Sequence, residues 1–331
     1  MEIKAADVAK LRQMTGAGMM DCKKALVEAN GDYERAKEII REKGKLVAAK
    51  RADRETSEGR VIAKVNGDKA IIVGLGCETD FVAKNDEFKA LAEAIAEAAI
   101  ASFPADKDAL MACVLADGRT VEAAVTEQTG KTGEKHQIAG YEVVEAPYIV
   151  AYMHNVTGKL AAVVGFNKEF DAQVAKGVAM QVASMNPVAV SAESVPQSVI
   201  DAELKTATEK TKEELVQKAV DAALSKAGIN PAHVDSEAHI ESNQAKGWIT
   251  AEQAEQAREI IKTVSAEKAA NLPEQMVANI AKGRLQKFFK EQTLEEQGYQ
   301  MGDGKTSVKD VLKAADAEAK VLTFKRVSLA D

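Results

Sequence analysis

Four histidines, three cysteines and two Gly-Lys-Thr triplets are the groups in this 331-residue chain whose types invite chemistry. Imidazole and thiolate ligate metals or pair as base and nucleophile, and a glycine-rich loop ending in Lys-Thr cradles phosphate. The spacing supports none of these. A phosphate cradle needs a glycine five positions before the one that precedes Lys. Val125 and Tyr299 stand there, ahead of Gly130-Lys131-Thr132 and Gly304-Lys305-Thr306, and Gly298 comes one residue too early. Among His136, His154, His233 and His239 only the last two are close, and their offset does not put both on one helix face. Cys22, Cys77 and Cys113 are too scattered for a disulfide framework or a zinc set, and there is no Gly-x-Ser-x-Gly elbow. No cofactor, metal or catalytic residue is expected, and unpaired cysteines suit a reducing, cytoplasmic setting.

What remains is recognition by apolar contact. Aromatic residues make up only 4% of the chain, with a single Trp, whereas alanine fills the periodic segments such as Ala92-Glu93-Ala94-Ile95-Ala96. A small-residue helical scaffold suits a binding protein better than an enzyme that must wall in a flat ligand. Against that background Phe81 stands out, because it lies in the polar run Cys77-Glu78-Thr79-Asp80-Phe81-Val82-Ala83-Lys84-Asn85-Asp86-Glu87. An exposed aromatic on a projecting loop makes a binding anchor; the alternative is a loop plug folded back on the core. Met19 and Met20 follow a glycine break and are adaptable enough to line a transient interface or to fill a core.

The elements that must position these residues can be read from periodicity and breakers. Val8, Leu11, Leu26, Ile39 and Ile40 recur at helical spacing, interrupted at Thr15-Gly16-Ala17-Gly18 and Asn30-Gly31-Asp32, which predicts three short helices over residues 1–45. Residues 46–59 are charged and aperiodic and read as a linker. Two β-rich runs, residues 60–65 and 69–73, flank Asn66-Gly67-Asp68 as a hairpin, followed by a helix over 87–102 that stops at Phe103-Pro104. A second unit repeats the design: strands at 148–152 and 160–164 around a turn at 155–158, then a helix over 169–185 ending at Asn186-Pro187. Gly165 precedes Phe170 by five residues and Gly76 precedes Phe88 by twelve, so the first copy carries seven extra residues, and these hold Phe81. The expected division is a core N-subdomain over 60–140, a core C-subdomain over 141–197 and 273–331, and a Lys/Glu/Ala-rich helical insertion over 198–272. The fold class is therefore α+β.

Charge and length exclude other classes. The net charge is −7, and the first sixty residues hold 14 Lys+Arg against 11 Asp+Glu, too slight an excess for direct nucleic-acid binding. No run approaches the ~18 apolar residues of a membrane span, and Glu2 and Asp7 argue against a targeting segment.

Two blocks then become specific. Thr15-Gly16-Ala17-Gly18-Met19-Met20-Asp21-Cys22-Lys23-Lys24-Ala25-Leu26 followed by Asn30-Gly31-Asp32, and Cys77-Glu78-Thr79-Asp80-Phe81-Val82-Ala83-Lys84, resemble in order and separation the signature blocks of the translation elongation factor Ts family. Tyr152-Met153-His154 and Gly283-Arg284-Leu285 extend the resemblance over nearly the whole chain. It implies an N-terminal ubiquitin-associated-like three-helix domain, two related α+β subdomains and a helical insertion that forms dimers in some members. It implies a guanine-nucleotide exchange factor for elongation factor Tu that binds the GDP complex and expels GDP so that GTP can enter. By the same resemblance, Thr79, Asp80, Phe81 and Val82 would disturb the partner's magnesium and phosphate site. Leu11, Met19, Met20 and Lys23 would contact its GTPase domain and His154 another domain. Many members continue past the last strand with a further helical module, where this chain stops at Ser328-Leu329-Ala330-Asp331, and the enlarged insertion leaves a homodimer open. A plain helical adaptor and a nucleotide-binding enzyme are the competing classes.

Overall fold

A computed structural model describes residues 3–330; Glu2 and Asp331 lie outside them. The N-terminal helices are α1 (Ala5–Thr15), α2 (Met19–Glu28) and α3 (Tyr33–Lys50). Gly16 ends α1 in the left-handed conformation, and the Asp32 carboxylate starts α3 by accepting from the amides of Glu34 and Arg35. Val8, Leu11, Cys22, Ala25, Leu26 and Ala36 close over one another as the bundle's core.

The predicted linker begins too early. Helix α3 runs on to Lys50, so the segment before the first strand is short. Its second half looks aperiodic because it docks through backbone and not through an apolar stripe. A Cβ on Gly44 would sit 3.3 Å from the Thr126 carbonyl, and one on Gly130 would sit 3.0 Å from the Gly44 Cα. Thr126 and Gly130 both belong to the helix over Val121–Thr132, and the two helices cross at backbone contact distance with Arg41 and Glu127 paired at 3.0 Å.

Strands β1 (Glu58–Asn66) and β2 (Lys69–Cys77) form the first hairpin, with Asn66 paired to Lys69 so that the loop is Gly67-Asp68. Gly67 takes φ 61°, while Asn66 stays in the strand. A one-turn helix, α4 (Asp80–Ala83), precedes α5 (Asp86–Ser102), α6 (Lys107–Ala112) and α7 (Val121–Thr132). Strand β3 (Gln137–Glu145) then joins the outer side of β2, giving the antiparallel order β1-β2-β3. The expected subdomain boundary at 140/141 therefore cuts a strand, because β3 returns to the first sheet and does not open the second.

The second unit comprises β4 (Tyr148–Met153), β5 (Leu160–Phe166) and α8 (Ala172–Met185). The α8 start falls later than expected because the Asp171 carboxylate accepts from the Gln173 and Val174 amides and caps the helix there. The internal repeat is visible in the caps: α5 ends on Phe103 (φ 47°) and α8 on Asn186 (φ 44°), each left-handed and each followed by proline.

The chain next forms a helical unit over Ser191–Thr293, containing α9 (Gln197–Lys226), α10 (Glu237–Ala245), α11 (Ala251–Ala270) and α12 (Glu274–Gln292). This unit is wider than the 198–272 insertion, because α12 packs along α9 and not on a sheet. Its own core gathers Val220, Leu224, Ile229, Val234, Ile240 and Ile249. On return, the amides of Leu294 and Glu295 donate to the carbonyls of Ala189 and Val190 at 2.9 Å, stitching the exit and re-entry segments together. Helix α13 (Val308–Ala315) and β6 (Val321–Ser328) complete the second sheet in the order β4-β5-β6.

Alternation along the strands explains the layering. Ile71, Val73 and Leu75 point to Phe88, Leu91 and Ile95 of α5, and Val164 and Phe166 to Val178 and Val182 of α8. Ala70 and Ile72 point the other way, where they meet Ile149, Ala161, Val163 and Val327 between the two sheets. Helices cover the outer faces and two small sheets face each other inside. Among the described residues, no helix is long and apolar enough to cross a membrane.

Candidate functional site

The extra segment of the first unit is short of internal support. A four-residue helix closes too few hydrogen bonds to offset its own nucleation, so α4 must be held from outside. Thr79 caps it, the side-chain oxygen accepting from the Val82 amide at 3.5 Å. Glu134, in the turn between α7 and β3, accepts from the Thr79 hydroxyl at 2.7 Å and from the Thr79 amide at 3.1 Å. Val82 faces inward and packs on the first core. Phe81, on the same turn, faces out and is 83% exposed.

That exposure rules out the plug: the Phe81 ring projects into solvent and does not fold back on the core. Asp80 pairs with Lys84 at 2.6 Å across one turn, and the Lys84 ammonium holds its carboxyl below the usual carboxylate range. Glu78 tends upward through burial, but the Lys135 amide at 2.6 Å and Arg51 at 2.8 Å outweigh this and hold it low. Burial raises the Cys77 thiol to about 12, with the Glu134 and Glu58 carboxylates adding to the effect. Cys77 is thus a core thiol whose hydrogen bonds to the Thr79 carbonyl at 3.3 Å, not a nucleophile.

The remaining candidates separate by burial. Met19 (47%), Met20 (64%) and Lys23 are exposed on α2, whereas Leu11 is fully buried in the bundle core and presents no free surface. Leu11 is thereby corrected from a contact residue to a packing one: its α1 position faces α2 and α3, while the neighbouring Met14 carries the exposed side. Met19 shares a cleft of about 780 Å³ with Lys10, Arg12, Met14, Glu87 and Lys131. Glu87 lies on the first turn of α5, so the bundle's exposed methionine borders the start of that helix. His154 directly follows β4, half-buried at the start of the turn that leads to β5. Its Nδ1 accepts from the Thr157 amide at 3.3 Å and lies 2.9 Å from the Thr157 hydroxyl, which assigns the ring proton to Nε2. The turn docks on β1, the Val61 amide donating to the Gly158 carbonyl at 2.7 Å.

Glu134, Lys135 and Arg51 were not singled out from sequence. Glu134 and Lys135 stand 55 and 57 residues from the groups they hold, and no local pattern announces them. Among the described residues, no group of three or more His, Cys, Asp or Glu side chains could hold a metal ion.

Comparison with known proteins gives a consistent picture. A sequence profile of the family described as "Elongation factor TS" matches residues 78–230 and 219–331. Proteins named elongation factor Ts from Phocaeicola vulgatus and Parabacteroides distasonis are 56% and 55% identical over 329 residues, covering 99% of this chain and 99% of theirs. One from Porphyromonas gingivalis is 39% identical over 329 residues with the same coverage.

Proposed function

The chain belongs to the elongation factor Ts family, a family of translation elongation factors, and from that premise we propose that it is the guanine-nucleotide exchange factor of elongation factor Tu. It binds the GDP complex, disturbs the magnesium and phosphate site and promotes GDP release so that GTP can bind. The observation that carries the reading is Phe81: a large aromatic left 83% exposed on a one-turn helix whose neighbours are tied down.

Such a side chain acts by differential binding. Mg²⁺ demands near-octahedral geometry at short distances, so a small displacement of its ligands forfeits much of its binding energy and leaves GDP without a counter-ion. Phe81 has only to fit the displaced arrangement better than the magnesium-bound one. By linkage, the factor then weakens GDP by the same factor that GDP weakens the factor. Thr79 and Asp80 shape and charge the same turn, and Val82 anchors it. Met19, Met20 and Lys23 on the ubiquitin-associated-like bundle supply a contact surface for the GTPase domain, and His154 meets a second domain of the partner. The factor works in the cytoplasm, touches no nucleic acid directly and is not itself a catalyst of bond chemistry.

An equilibrium titration tests this. Affinity for nucleotide-free elongation factor Tu is expected to fall steeply when Mg²⁺ and GDP are added, while the chain alone retains no GDP in dialysis. Equal affinity with and without GDP would reduce the protein to an adaptor, and GDP retained by the chain alone would point to a nucleotide-binding enzyme.

A further inference from the structure

Phe81 makes little contact with its own protein, so its direction is set by the backbone of α4, and α4 is too short to set itself. Two reciprocal ties supply what it lacks. Glu134 reaches the start of the turn through the amide and hydroxyl of Thr79, and the Lys135 amide reaches back to the carboxylate of Glu78 at 2.6 Å. The ties cross, residue 79 to 134 and 78 to 135. Both are charge-assisted, the stronger kind of hydrogen bond.

The anchor itself is fixed. The Glu134 amide donates to the Thr132 hydroxyl at 3.1 Å, and its carbonyl lies 2.9 Å from Nδ1 of the buried His136. The anchor also holds a second element. Lys135 donates through Nζ to the carbonyls of Ala52 at 2.6 Å and Arg54 at 2.9 Å, and Arg51 donates to both oxygens of Glu78 at 2.8 Å. Residues 51–54 are the segment by which α3 and its bundle join the first sheet.

We propose that Glu134 is a positioning residue for nucleotide exchange: it fixes the Thr79 end of α4, and hence the direction of Phe81, on the same turn that secures the exit of the three-helix bundle. Without it the loop samples several orientations, and only the fraction with Phe81 correctly placed can act. Grip by the bundle and insertion of Phe81 are then referred to one rigid point. The proposal rests on the exchange-factor reading and on Phe81 as its working residue.

Full-length variants are compared in catalysed release of fluorescent GDP from elongation factor Tu, with maximal rate and half-saturating concentration separated and thermal melts recorded for each. Glu134→Gln takes the charge from both bonds to Thr79, and Thr79→Val deletes the hydroxyl that makes one of them and caps α4; each is expected to lower the maximal rate about tenfold, the order of one such bond, with half-saturation moved less than twofold. Thr79→Ser keeps both donors and retains the parental rate. The Glu134→Gln, Thr79→Val pair together is slowed by less than the product of the two single losses, because the hydroxyl–carboxylate bond counts in both, and neither change adds to the loss in a Phe81→Ala background. Parental rates for both single variants, with Phe81→Ala slow, would overturn the positioning role and leave the exchange reading intact. Additive losses would overturn it too, as would a loss confined to half-saturation. A parental rate for Phe81→Ala would instead remove the reading beneath it. Where Glu134→Gln fails to fold, Thr79→Val interrogates the same bond from its other end.

Discussion

Replacing Phe81 by alanine should separate function from stability more cleanly than any other single change. A phenylalanine side chain enclosed on all sides buries about 150–250 Å², and 83% of Phe81 is free to be enclosed by a partner. Complete burial of such a side chain contributes about 1.5–3 kcal/mol, so roughly 2 kcal/mol of the favoured, displaced partner state rests on this ring. At about 1.4 kcal/mol per tenfold, Phe81→Ala should slow catalysed GDP release about 30-fold. The folded chain loses only the small covered part of the ring, within the ~0.5 kcal/mol typical of surface substitutions, and its melting temperature should shift by no more than ~2 °C. Stopped-flow release of fluorescent GDP and a thermal melt on the same preparation read the two quantities. Parental release by a fully folded Phe81→Ala chain, or a melting temperature lowered by many degrees, would refute the reasoning, the second because it would return Phe81 to the core.

Three further outcomes follow from the same geometry. Burial holds His136 below the ordinary imidazole value of 6.5, with Nε2 enclosed and unpartnered; the unfolded chain binds the extra proton, so stability is complete above 6.5 and falls as pH drops through that value, by at most about 1.4 kcal/mol per pH unit. Urea unfolding between pH 7.5 and 5.5 should show this dependence reduced in His136→Gln, and identical slopes would contradict it. Gly130→Val places branched carbons where a single Cβ already meets the Gly44 Cα at 3.0 Å, and should cost about 1–3 kcal/mol; a melt unchanged from the parent would show that the crossing yields freely. Cys22 and Cys77 are buried, the latter with its thiol raised to about 12, while Cys113 is partly exposed. A thiol reagent at pH 8 should therefore label Cys113 first, and peptide mapping that found Cys77 labelled at the same rate would contradict its place in the core.

Much of the fold was legible because its signals are local. The Gly67-Asp68 loop, the Asp32 cap and the paired stops at Phe103-Pro104 and Asn186-Pro187 each act within a few residues, and each marks an element end in the structure. The duplicated hairpin and helix, and the extra segment that sets Phe81 apart, could be counted from them. The failures share one cause, pairing between distant residues. Helix α3 passes as a linker because Gly44 meets Gly130 across 86 positions; β3 goes unseen as the first sheet's third strand; α12 belongs with α9 and not with a sheet. Around Phe81, the run Thr79–Val82 can be singled out in the sequence, whereas Glu134, which bonds to it from 55 positions away, cannot. Leu11 shows a different limit: a residue type inside a surface motif does not reveal which side of its helix faces inward, and here it faces the core.

The central claim is that this chain opens the nucleotide site of a GTPase partner and then leaves it. The direct measurement is the release rate of fluorescent GDP from elongation factor Tu at a fixed excess of unlabelled GDP, with the full chain supplied at a small fraction of the partner concentration. The account predicts that every partner molecule loses its label in an accelerated phase whose rate is proportional to the amount of chain added, which only a turning-over factor produces. Release unchanged from the spontaneous rate, or acceleration limited to one partner molecule per chain, would contradict it.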